Sequence, residues 1–400
     1  MRPILWGLCL TLWAAAAAHG ENTLTEEEFL APLTRGYPSL IALSDRLGLA
    51  RAERRGASIL SNPELGFERE EPSGTTRQST WRLAWTPPLN GRRGLSIQAA
   101  DAELSAAEND LEATLLGLRS QMRAAYSRWV VSSERASSLA SHLGLIEALT
   151  EQMTRRAERG EEPVLAARRL GLAAKQAQAE VSLARAALAR ARATALAWRP
   201  ELASSLRPVP PELSPILRGL DLSSRSDLEA HRFEIQGAEL EERLARRFVA
   251  SPQLHVGWQT VENGGLSLEG PVYGVNWSVP LLSHGQAARL ESSQKREAAE
   301  ARLAVAVARA EGELEGARDA YEELSAAARA AAATTDLDLV VAGAEASYRL
   351  GESTVTDLLE SLRSVLATRL SSLDLYAAAL EAHRNLESAA GRPLSTGATL

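Results

Sequence analysis

The chain has 400 residues, a formal net charge of −7, and a composition that is 45% hydrophobic but only 4% aromatic. An acidic balance without a clustered basic patch excludes a nucleic-acid surface. The single cysteine excludes a disulfide framework and a cysteine-ligated metal. Abundant alanine with few large side chains points to a thin core, as in long helices packed closely.

In chain order, the first twenty residues read as an export signal. Arg2 gives a short positive start, residues 4–18 are apolar, and Ala18-His19-Gly20 offers small residues at the positions a signal peptidase reads. Cleavage is expected before Glu21. The apolar run is shorter than the ~20 residues a membrane helix needs. Cys9 is flanked by Leu8 and Leu10, inside the run and not after small residues at its end. It is therefore read as part of the signal core, without lipidation. No later stretch reads as a membrane helix, so any membrane passage must use strands closed into a barrel.

Beyond the signal the chain repeats itself. A helix over 39–60 is followed by two strands, then a long helical stretch over 95–158 with apolar residues at helical spacing. Some 60 residues at 1.5 Å each make a rod of roughly 90–100 Å. A break centred on Gly160 follows, and a helix returns over 163–198, with Pro163 suited to a first helical turn. The second half reads the same: a helix over 223–248, two strands, a long helix over 286–349, a break at Gly351, and a return helix over 354–390 capped by Ser353 or Thr354. Three matches support a duplication: Asn62-Pro63-Glu64-Leu65 with Ser251-Pro252-Gln253-Leu254, Trp85-Thr86-Pro87-Pro88-Leu89 with Trp277-Ser278-Val279-Pro280-Leu281, and Arg159-Gly160-Glu161 with Leu350-Gly351-Glu352. The expected division is a signal peptide at 1–20, a first repeat at 21–206, a linker at 207–215, a second repeat at 216–391 and a tail at 392–400.

The strands alternate with period two. Leu65 and Phe67, then Trp81, Leu83 and Trp85, then Leu254, Val256 and Trp258, then Tyr273, Val275 and Trp277 form one apolar, aromatic face. The intervening positions are polar or small. This suits a membrane barrel with a wet lumen, and equally an antiparallel sheet on a soluble core. Tryptophan and tyrosine favour the membrane–water boundary, which makes Trp81, Trp85, Trp258, Tyr273 and Trp277 the candidate interface aromatics. Four strands cannot enclose an aqueous pore; three chains would supply twelve. Residues 70–77 and 261–270 are expected as outward loops.

Asn62-Pro63-Glu64-Leu65, Val279-Pro280-Leu281 with Gly285, and above all Tyr348-Arg349-Leu350-Gly351-Glu352-Ser353-Thr354-Val355-Thr356-Asp357-Leu358-Leu359-Glu360 resemble the TolC family of outer-membrane efflux proteins. The start resembles the CusC/CzcC-type branch. The resemblance implies a mainly α fold with a small β part: long helical hairpins forming a periplasmic tunnel, and four strands per chain in a trimeric twelve-stranded outer-membrane barrel. It implies a passive homotrimeric duct in outer-membrane lipid, working with a periplasmic adaptor and an inner-membrane pump. No enzyme activity, cofactor or metal is expected.

The family closes its tunnel at the helix tips. The resemblance makes Asp357 and Glu360 the candidate gate, with rings of carboxylates attracting cations. Tyr348 and Arg349 become candidates for holding the closed state. The tips themselves, Arg159, Gly160, Glu161, Leu350, Gly351, Glu352 and Ser353, become the candidate adaptor contact. Two other readings predict different behaviour. A soluble periplasmic coiled-coil scaffold or adaptor protein would need no barrel. An enzyme using Asp357 and Glu360 would need a concave pocket, and the alanine-rich surroundings offer no sign of one.

Overall fold

The computed structural model describes residues 23–31, 38–73, 76–88, 90–202, 205–214, 219–223, 225–247, 251–279, 282, 284–333 and 337–394. The expected signal peptide, Cys9, Pro280 and Leu281 lie outside them. In chain order the elements are β1 (Thr23–Leu24), α1 (Glu26–Leu30), α2 (Pro38–Ser58), β2 (Glu64–Ser73), β3 (Thr76–Trp85), α3 (Arg92–Glu158), α4 (Val164–Trp198), β4 (Arg207–Pro208), α5 (Ser226–Arg246), β5 (Gln253–Asn263), β6 (Leu266–Asn276), α6 (Gln286–Ala332), α7 (Leu337–Arg349) and α8 (Val355–Ala390). A helix, two strands and long helices follow in this order in the first part of the chain and again after β4. In place of the single second long helix expected over 286–349 there are two, α6 ending at Ala332 with a turn at Ala333, and α7 from Leu337; 334–336 lie outside the described residues. The short pair of β1 and β4, which runs parallel, was not expected.

One expectation fails. Residues 70–77 and 261–270 are mostly strand, not loop. β5 runs to Asn263 and β6 starts at Leu266, leaving only Gly264 and Gly265 as the turn. Both have positive φ, 58° and 91°, the backbone that a two-residue hairpin needs and that glycine adopts freely. The charged residues in these stretches sit on strand faces, which is why they resemble a loop by composition.

The chain divides into two compact units: one of residues 1–37, 115–224 and 311–400, the other of 38–114 and 225–310. Each draws on both halves of the sequence.

The second unit holds the sheet. It is four-stranded and antiparallel, in the order β2-β3-β5-β6. Leu47 and Ala50 of α2 pack against Ala107 of α3, with Leu104 and Leu111 alongside. Around this small core the helices are joined by ion pairs, Arg46 with Asp110 and Arg54 with Asp101.

The first unit is helical. Leu139, Leu143, Ile146 and Met153 of α3 pack with Leu170, Ala173, Ala177 and Val181 of α4 and Leu358 and Leu362 of α8. The alanines at these contacts let the helices approach closely. A second core gathers Tyr126, Trp129 and Met122 of α3 around Phe29 and Leu24, with Ala195 of α4. The linker is fastened by tyrosines from three helices. Tyr126 donates to Leu24 O at 2.6 Å and accepts from the Val209 amide at 3.0 Å. Tyr376 donates to Pro211 O at 2.5 Å, and Tyr321 donates to Ser214 O. Buried Arg123 is held by Glu387 and, at 3.1 Å, by Glu26. Glu387 also accepts the Leu394 amide at 2.8 Å. This buried set ties α1, near the start of the chain, to α3 and to the end of α8.

Candidate functional sites at the sheet face and the helix tips

Register decides what each sheet face carries. Leu65, Leu83, Val256 and Tyr273 form one cross-strand row; Phe67, Trp81, Trp258 and Pro271 form the next; Trp85, Leu254 and Val275 form a third. Every aromatic and aliphatic side chain among them is exposed, Tyr273 by 82%. Phe67 and Trp81 stack tilted at 4.7 Å. The Trp85 indole N–H donates to Ser61 O at 3.0 Å, anchoring the strand base. The alternation continues past β6, where Trp277 and Val279 are also exposed. Pro271, Tyr273, Val275, Trp277 and Val279 thus span nine residues, close to the ~9–11 residues of a tilted membrane strand. Towards the hairpin ends the same face turns charged. Glu71 accepts from Arg77 at 2.9 Å and Arg69 at 3.1 Å, and Glu262 lies 3.7 Å from Arg77.

The opposite face is mostly polar or small, with Val272 paired to Gly257 and with Val261, Leu268 and Leu266 towards the β5–β6 hairpin end. Arg82 lies 3.7 Å from Glu68. A side chain at Gly257 would sit 2.2 Å from the Trp81 carbonyl oxygen, and one at Gly274 would meet the His255 ring. Gly257 permits a close approach of backbone between strands, whereas Gly274 makes room for the His255 ring. Both edge strands, β2 and β6, have only one neighbour in the sheet.

The two tips are built alike. Gly160 and Gly351 have φ of 75° and 76°. The Gly160 amide donates to Ala157 O at 3.0 Å and the Glu161 amide to Arg156 O at 2.9 Å; Gly351 to Tyr348 O at 3.0 Å and Glu352 to Ser347 O at 2.9 Å repeat the pattern. This is the glycine-ended closure of a helix, which satisfies its last carbonyls.

The tips differ in what they carry. At the first, Arg156 lies 3.6 Å from both Glu161 and Glu162, and Arg159 lies 3.8 Å from Glu161. Tyr348 donates to Glu162 at 3.0 Å, with Met153 Sδ also 3.0 Å away. Burial first, then the Glu162 carboxylate, pushes the Tyr348 hydroxyl up to about 12. Arg349 instead pairs with Glu345 of its own helix at 2.8 Å. Leu350 is exposed. Arg169 of α4 donates to Thr356 at 3.1 Å, a further link between the hairpins.

Asp357 and Glu360 are both exposed near the start of α8. They do not act alike. Thr354 caps α8, and Asp357 is the return arm of that cap, accepting from the Thr354 amide at 2.8 Å and its hydroxyl at 2.7 Å. These bonds hold the Asp357 carboxyl below its usual range. Ser353, the other expected cap, has a buried hydroxyl without a hydrogen bond. Glu360 lines a shallow groove with Leu337, Val340 and Thr368. Two residues escaped the sequence reading: Glu162, the partner of Tyr348, and Met153 beside it. Their separation from Tyr348 in the chain left no local signal.

Among the described residues no cluster of histidine and acidic side chains could hold a metal, and no helix is long and apolar enough to cross a membrane.

No protein-family model matches the sequence, and no curated protein matches it. Solved structures do. The outer membrane protein VceC of Vibrio cholerae matches with a TM-score of 0.74 at 18% identity, over 92% of this chain and 97% of that one. CusC matches at 0.75 and 17%, over 92% of each chain. The open-state MtrE outer membrane channel of Neisseria gonorrhoeae matches at 0.67 and 19%, over 92% of this chain and 89% of that one. The chain has the fold of these outer-membrane channel proteins, and the mainly helical chain with a small antiparallel sheet agrees with what the family resemblance implied.

Proposed function

We propose that this chain is one protomer of a passive, trimeric outer-membrane efflux duct, opened by a periplasmic adaptor and an inner-membrane pump. The observation that carries the reading is the sheet. Its aromatic face is bare, and its two edge strands each lack a neighbour on one side. Unpaired strand edges are untenable in lipid, and a bare apolar face of this size calls for lipid or protein cover. Joining β2 of one copy to β6 of the next pairs the edges, surrounding lipid covers the apolar face, and three copies give twelve strands. The charged hairpin ends then stand beyond the hydrocarbon, at the headgroups. The two halves, with their matched tips, are read as an internal duplication that supplies two helical hairpins to a periplasmic tunnel. A soluble scaffold leaves the aromatic face unexplained.

At the tunnel end the tips are the adaptor contact. Glu360 carries the cation-attracting role of the gate, with Asp357 divided between capping and lumen charge. Glu360→Ala is expected to raise single-channel conductance in planar bilayers and to weaken cation preference. Unchanged conductance and selectivity would remove Glu360 from the gate. The location is tested by fractionating cells: the protein should sediment with outer membranes and need detergent for release. Recovery in the soluble periplasmic fraction would overturn the reading.

A further inference from the structure

The four strands share one base, where they meet the helices. There Glu64 pairs with Ala84, Trp85 with Leu254 and Gln253 with Asn276. Four stretches join helices to strands at this base: residues 54–63, 86–100, 243–252 and 277–290. Together they hold eight arginines and no aspartate or glutamate. The hairpin pole of the same sheet is the reverse. Residues 68–77 and 262–270 hold five glutamates and two arginines. Charge therefore divides between the two poles of the sheet.

Helix polarity does not account for the arginines. Arg55, in the last turn of α2, suits the negative end of that helix. Arg92 and Arg93 open α3, whose positive end favours acids, and its first turn has none. They are held there by carbonyls. Arg92 donates to Arg247 O at 2.8 Å and Arg93 to Ser58 O at 2.6 Å. These bonds gather arginines in twos. Ser58 in turn donates to Arg55 O at 2.7 Å, so Arg93 reaches the turn that carries Arg55. A side chain at Gly91 would sit 2.6 Å from an Arg247 guanidinium nitrogen, so Arg247 lies over the turn that leads into Arg92. Arg289, near the start of α6, donates to His284 O at 2.6 Å. Arg54, Arg243 and Arg246 have carboxylate partners in Asp101, Glu239 and Glu242. The other five meet no carboxylate among the described residues, and all of them except half-buried Arg92 are exposed. A guanidinium has five N–H donors, so one bond to a carbonyl leaves most of them free. Exposed apolar side chains adjoin these arginines: Ile59 and Leu60 before β2, Val279 and Leu282 after β6, and Leu290 beside Arg289. They continue the aromatic band of the sheet past Trp85 and Trp277.

We propose that this arginine belt binds the headgroup phosphates of the lipid leaflet that borders the helices, with preference for anionic phospholipid. The inference rests on the membrane reading above and names the lipid contact that fixes the depth of the sheet. Two observations select this occupant. The first is charge: guanidiniums without carboxylates match phosphate oxygens, which they grip in pairs. The second is continuity: the belt begins where the apolar band ends, the level at which headgroups follow hydrocarbon.

The test uses the full chain extracted in neutral detergent and supplied with phosphatidylglycerol or phosphatidylcholine in mixed micelles. Bound lipids are counted by native mass spectrometry. Each arginine near an anionic surface strengthens binding about fivefold, so the wild type should retain phosphatidylglycerol over phosphatidylcholine by about tenfold or more. R55Q/R247Q removes two exposed guanidiniums and none of the bonds to carbonyls. It should keep its native mass and circular dichroism and lower the preference by about fivefold or more. R289Q, in a separate stretch, should lower it in the same direction. R69Q/R77Q makes the same change of charge at the hairpin pole and should leave the preference intact. Salt at about 0.5 M should weaken it. Equal retention of the two lipids by a wild type that needs detergent would overturn the belt alone. So would an unchanged preference in R289Q and in folded R55Q/R247Q, or an equal loss in R69Q/R77Q. A wild type recovered without detergent in the soluble periplasmic fraction would overturn the belt together with the duct reading.

Discussion

At the scale of single residues, most of the consequential chemistry is buried charge. Arg123 is held by two carboxylates, and removing one leaves a buried charge without full compensation. Glu387→Ala should therefore cost about 3–5 kcal/mol of stability, measurable by denaturant unfolding; a loss below about 1 kcal/mol would mean the pair is not needed. His383, edge-on to Tyr321 at 5.1 Å with its Nε2 buried and unbonded, has its pKa lowered chiefly by burial. The folded state therefore resists the proton that the unfolded chain takes up near pH 6.5. Stability should fall as pH drops below about 6.5, and His383→Leu should flatten that fall in chemical-denaturation midpoints measured from pH 7.5 to 5. An unchanged slope would assign the acid sensitivity to other groups. The tip glycines were legible in the sequence because a helix-ending glycine is a local device. Tyr348 was legible as a candidate, but its partner Glu162 is 186 positions away, and nothing in either neighbourhood signals the bond. The cap on α8 shows a second limit. Thr354 and Asp357 are three residues apart, the spacing of a capping box, and the same carboxylate that suggested a gate also caps the start of the helix.

At the scale of elements, period gave strands and helices correctly, whereas composition misled at the hairpins. Glu70 to Arg77 reads as a polar loop until the register is known; Ser73 pairs with Thr76, and the charged residues alternate faces. The pair Gly264-Gly265 was the usable signal, since two adjacent glycines between alternating residues mark a tight hairpin. Gly257 was visible only as a small residue in an alternating pattern. Its reason is spatial: the Trp81 carbonyl oxygen occupies the place of a side chain. Gly257→Val should cost about 3 kcal/mol or more through overpacking and shift the β3–β5 pairing, read as lost heat resistance of the assembled form in detergent. A fully heat-resistant variant would mean the close approach relaxes without harm. The parallel pair of β1 and β4 is too short to leave a sequence pattern at all.

At the scale of the whole molecule, the sequence argued for many chains because neither half completes anything alone. Four strands leave two open edges, and long alanine-rich helices leave charged and apolar faces bare. The structure sharpens this. The apolar band is nine residues tall at its clearest, and the hairpin ends carry charge. What the sequence could not supply was the register that sorts these faces. The most direct measurement is the native mass of the detergent-extracted protein, retained in its own membrane until extraction. Three chain masses in one complex, stable to dilution, is the expected result. A single chain mass under the same conditions would contradict the central claim, because an isolated four-stranded sheet with open edges cannot span a bilayer.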